Sequence, residues 1–128
     1  MKWFKIYYLD VIMKCYSKFS GRATRKQFWF FMLINGVLVP IIFYSLLMLL
    51  GYFSTIVPEI GYIIFALYAL IVIFYLFLIV PEIAITARRL HDIDLSGWWQ
   101  LIVLIPLLGA IVLIIMLCLP SKSKTRFD

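Results

Sequence analysis

The sequence predicts an all-α integral membrane protein: a helical bundle of three transmembrane helices with an N-terminal amphipathic helix lying in the interface. Three observations predict it. Hydrophobic residues make up 66% of the 128-residue chain and charged residues only 14%, well outside the range of soluble globular domains. A soluble domain of this length has too much surface for its volume to hide so much apolar area. The apolar residues are gathered into three long runs, with the basic residues placed at their ends. Residues 1–128 therefore read as one membrane domain, with anionic headgroups rather than nucleic acid as the partner of its net charge of +6.

Residues 1–20 are the predicted amphipathic helix. Phe4, Tyr8, Val11, Cys15 and Phe19 recur at helical spacing on one face, while Lys2, Asp10, Lys14, Ser17 and Lys18 lie opposite. A basic helix with aromatics on its apolar face belongs in the plane of a bilayer surface. Packing onto the protein's own bundle is the equal alternative. The segment lacks a contiguous apolar stretch, so it is not read as a signal peptide.

Gly21 ends that helix, and Thr24 with Gln27 has the spacing of a capping box that starts a new helix at Arg25. The first span follows at about residues 28–50, long enough to cross a hydrocarbon core of ~30 Å. Asn35 and Gly36 within it suit close contact with another helix, and Pro40 predicts a bend. The second span covers residues 60–80, and its helix is expected to continue to about His91. The third run, residues 98–119, reads as one span with Pro106 and Gly109 at its middle. A re-entrant hairpin with two short arms is the alternative. Residues 120–128 form a polar basic tail.

Seven basic residues precede the first span (Lys2, Lys5, Lys14, Lys18, Arg22, Arg25 and Lys26), the first loop has none, and the second has Arg88 and Arg89. Positive charge retained on the cytoplasmic side puts the N-terminus there. Three simple spans would then leave the C-terminus outside, against the charges of Lys122, Lys124 and Arg126. That topology is nonetheless the expectation.

Two polar motifs carry the recognisable pattern: residues 21–29, GRATRKQFW, and residues 88–99, RRLHDIDLSGWW. With the following IPLLG they resemble the DUF805 family of small bacterial inner-membrane proteins, over residues from about Phe19 to Phe127. Gln27 stands where that family usually has Glu, and the tail departs from the family's Gly-rich ending. The resemblance implies a multi-pass protein of the bacterial inner membrane and supplies no reaction.

The candidate site is an interfacial cluster of Arg22, Arg25, Lys26, Arg88, Arg89, His91, Asp92 and Asp94, with Thr24, Gln27, Ser96 and Gly97 as capping residues and Trp98 and Trp99 as anchors. Arginines at the end of a helix complement its dipole. Arg22 or Arg25 is expected beside Glu82, Asp92 or Asp94. The first reading is structural. The alternative is recognition of an anionic phospholipid or a partner protein, with basic side chains converging on one phosphate. Homo-oligomers also fit so thin a bundle.

An enzyme or transporter is the least supported. One histidine makes no metal set, no nucleophile–base pair is evident, and the spans carry almost no ionisable groups. No catalytic, cofactor-binding or metal-binding residue is assigned. Cys15 and Cys118 are expected as small apolar fillers.

Overall fold

The computed structural model describes residues 2–127. These residues are helical without strands, in two compact units: one runs up to Phe31 and resumes from Val80, the other is Met32–Ile79.

In the first unit, α1 covers residues 2–13 and contains a π-helical turn at Lys5–Leu9. The expected helix over residues 1–20 is corrected: it stops at Met13, where the Lys14 and Cys15 amides both return to the Asp10 carbonyl. Phe19 therefore lies outside the helix and is exposed. The face formed by Tyr8 and Val11 is buried, with Tyr8 5.6 Å from Phe31 and Tyr7 5.7 Å from Phe30 between ring centroids. Trp3, Ile6 and Met13 face outward.

Gly21 turns the chain with φ +89°, a conformation open to glycine. Helix α2 then runs Arg25–Ser54, and the Gln27 amide donates to Thr24 Oγ1 at 3.2 Å. A π-helical turn at Ile34–Leu38, closed by the Val39 amide on the Ile34 carbonyl, stands just before Pro40. Proline cannot donate to the ladder; the wide turn shifts the register there. Helix α3 runs unbroken from Ile60 to Asp92 through a buried Pro81.

α2 and α3 are each long and apolar enough to cross a membrane. In the second unit Phe43 and Phe74 meet at 6.3 Å, and Asn35 is 1% exposed. Most of the other large apolar side chains of that unit point outward, as suits a hydrocarbon solvent.

Residues 98–119 are not one continuous helix, so the expected third transmembrane helix is not found as a single element among the described residues. Gly97–Leu104 form a 3-10 helix, residues 105–107 turn, and α4 runs Leu108–Cys118 packed against the 3-10 helix. The arms match in length, about 16 Å each at about 2.0 Å per residue for the 3-10 arm and about 1.5 Å for the α arm, roughly half a bilayer core. Local chemistry makes the turn. Pro106 offers no amide, Leu107 adopts φ +62°, and Gly109 lets α4 lie against the Ile102 carbonyl, where any Cβ would overlap it.

Candidate functional site

The last three turns of α3 carry the cluster. Ala84, Ile85, Ala87 and Leu90 are buried there, and Arg88, Arg89, His91 and Asp92 are buried with them. Buried charges persist only when paired and hydrogen-bonded, and Asp92 supplies most of the pairing. Its Oδ1 accepts from Arg22 Nε at 2.9 Å and lies 2.8 Å from Arg22 Nη2. Its Oδ2 accepts from Arg89 Nη1 and from the Ser121 hydroxyl. The Asp92 carbonyl accepts the Lys122 amide at 3.0 Å.

Arg89 is fully enclosed. Beyond Asp92, its Nε donates to the Leu117 carbonyl at 3.1 Å and its Nη2 to the Leu119 carbonyl. The last carbonyls of a helix have no partner within it, so one guanidinium both neutralises Asp92 and caps the end of α4. Arg22 reaches the same region, with Nη2 donating to the Lys122 carbonyl. These bonds fasten the tail beside the end of α3.

Two contacts extend the fastening. Asp94, at φ +63°, accepts the Arg126 amide at 2.9 Å and Arg126 Nε at 3.3 Å. The Arg126 amide, followed by the Arg126 side chain, holds this carboxyl below its ordinary value. His91 Nδ1 lies 2.9 Å from the Gly21 carbonyl, which can only accept, so Nδ1 carries the proton. The His91 ring stacks on Phe127 at 3.8 Å and 9°. A cleft of about 470 Å³ opens beside this pair, lined by Phe19, Ala87, Trp98 and Gln100 among others.

The remaining candidates separate by role. The Ser96 hydroxyl accepts the Trp98 amide at 3.4 Å and starts the 3-10 helix. Gly97 permits close packing, since a Cβ there would sit 2.9 Å from Ala87 Cβ. Trp98 and Trp99 are exposed. Arg25 and Lys26 are also exposed and, with Trp29 and Cys118, line a shallow groove of about 410 Å³. The structure thus brings Arg22, Arg89 and Asp92 into one network, sets His91 against the Gly21 carbonyl and Phe127, and leaves Arg25 and Lys26 facing out.

The sequence did not assign Ser121, Arg126 or Phe127 to the site, nor the carbonyls of Leu117 and Leu119. The misplaced positive charge of the tail was the signal for them. Among the described residues no three His, Cys, Asp or Glu side chains gather in a metal-binding group.

A family model described as "Protein of unknown function (DUF805)" matches residues 16–128. The chain is 37% identical to the inner membrane protein YhaI of Escherichia coli K12 over 126 residues, 98% of this chain and 91% of that protein. It is 38% identical to the inner membrane protein YhaH of the same strain over 122 residues, 94% of this chain and 92% of that protein. No solved structure shows a significant match.

Proposed function

We propose that this chain, which belongs to the DUF805 family, is a multi-pass inner-membrane protein whose polar cluster is a structural lock with no catalytic step. α2 and α3 cross the bilayer, and the third apolar run enters and leaves from the cytoplasmic side. The observation that carries this reading is Asp92, whose carboxylate takes Arg22, Arg89 and Ser121 at once while its carbonyl takes the Lys122 amide. Lipid cannot satisfy irregular backbone, and the lock places the ends of the hairpin among polar groups at the surface. The topology also removes the charge conflict, since Lys122, Lys124 and Arg126 join the N-terminal basic residues on the cytoplasmic face.

The names of YhaI and YhaH support the location. The experiment for the lock is proteolysis of the tail in inside-out membrane vesicles, comparing parent with Asp92→Asn. The lock predicts faster cleavage around residues 121–126 in the variant. Equal cleavage rates would sink it.

A second reading, display of a basic surface to anionic lipid, is favoured by one observation: Arg25 and Lys26 project outward beside Trp29. Loss of anionic phospholipid retained by the detergent-purified Arg25→Gln, Lys26→Gln pair would support it, and retention equal to the parent's would remove it.

A further inference from the structure

We propose that Arg88 is a binding site for one phosphate oxyanion, held side-on by its Nε and Nη2 hydrogens. Arg88 is 4% exposed. Its Nε and Nη2 are both enclosed, and neither has an acceptor among the described residues, so an oxyanion reaches this edge only by displacing side chains that cover it. These two hydrogens point from one edge of the guanidinium plane, the edge that grips a phosphate or carboxylate through two parallel bonds.

The neighbouring arginines show how this unit neutralises charge. Arg22 and Arg89 share Asp92, and Arg126 takes Asp94. Asp10 pairs with Lys14. Beside Arg88 lies instead the Cys15 side chain, and sulfur is a weak acceptor. Its place in the last turns of α3 is favoured by the helix dipole. That recovers only a fraction of what an unpaired buried cation costs. An anion from outside the described residues satisfies both the charge and the two-donor edge.

Phosphate is the anion that the setting supplies. The Ala23 amide is bound to the Arg88 carbonyl at 3.0 Å, which fastens the stretch after Cys15 to α3 at this point. That stretch carries exposed Lys18 and follows exposed Lys14, so the approach is positive. It also lies at the polar end of a helix built to cross a membrane, where phospholipid phosphodiesters are concentrated. A phosphodiester has one negative charge for the one positive charge of Arg88. A lipid headgroup and free phosphate share this chemistry.

The test uses full-length protein stripped of lipid in detergent, titrated separately with phosphatidylglycerol, phosphatidylcholine and inorganic phosphate. Thermal melting and native mass spectrometry are the readouts. The parent is expected to bind one phosphate-bearing molecule and to melt higher with it. Arg88→Met, which removes the charge at similar volume, is expected to melt at or above the parent without ligand and to bind about tenfold or more weakly.

Arg88→Lys keeps a charge without the fork and is expected to lose most of the affinity. The Arg25→Gln, Lys26→Gln pair keeps it, which separates this site from the outward basic surface. A shift with inorganic phosphate alone identifies free phosphate, and a shift only with lipid identifies a headgroup; either supports the site. Absence of a shift with all three would overturn it. So would an equal shift in Arg88→Met, or an Arg88→Met protein that melts well below the parent without ligand.

Discussion

Arg22 and Asp92, seventy residues apart in sequence, form a salt bridge of 2.8 Å in which the aspartate side chain is 5% exposed. The bridge joins the turn before α2 to the end of α3. Because Asp92 also holds Arg89, Ser121 and Lys122, it is the point at which three separate stretches of chain meet: the turn before α2, the end of α3 and the tail.

Asp92→Asn is therefore expected to be the most destabilising polar substitution in the chain. It leaves Arg89 buried with backbone carbonyls alone, and breaking a buried pair costs about 3–5 kcal/mol. Arg22→Gln is expected to cost less, since Arg22 is partly exposed and Asp92 keeps Arg89. Denaturant titration in detergent ranks the two, and the reverse order would show that Asp92 is not the hub.

Gly109→Ala tests the hairpin by packing. The added Cβ would overlap the Ile102 carbonyl, and forced overpacking costs about 1–3 kcal/mol. Gly51→Ala has nothing within 4 Å, so it is expected to be neutral or to gain about 0.5–1 kcal/mol from helix propensity. Melting temperatures moving in opposite directions satisfy the expectation. A tolerated Gly109→Ala contradicts the turn.

The tail contact has a pH signature. With the tail docked, the Asp94 carboxyl lies below its ordinary value of 3.8 because the Arg126 amide donates to it. The docked tail thus binds fewer protons than the released tail, and docking strengthens as pH rises between the two values. The contribution is complete above the ordinary value and is lost as pH falls through the lowered one. Protection of the Arg126 amide against hydrogen exchange is expected to drop in that acid window. In Asp94→Asn the drop should vanish; its persistence would assign the effect to another group.

Much of this arrangement was legible in the sequence, because it was written in local chemistry. Thr24 and Gln27 marked the start of α2, and alanines with helix-tolerant neighbours carried α3 past Pro81 to the cluster. The pairing of Arg22 with an acid of the second motif followed from charge in an apolar setting. The third run was harder. A continuous apolar stretch has no periodicity to distinguish a span from two short arms, and only Pro106 and Gly109 hinted at the turn. Phe127 could not be placed by its neighbours, since its partner His91 lies far back in the chain.

In the proposed topology the third apolar run folds back, and residues 18 and 123 lie on the same, cytoplasmic side of the membrane. Cysteine accessibility in intact cells tests it most directly, using Ser123→Cys in a background of Cys15→Ser and Cys118→Ser. Lys18→Cys and Glu59→Cys serve as references for the two faces. The account predicts that an impermeant maleimide labels position 59 in intact cells but reaches positions 18 and 123 only after permeabilisation. Labelling of position 123 in intact cells would restore a third full span and contradict the hairpin.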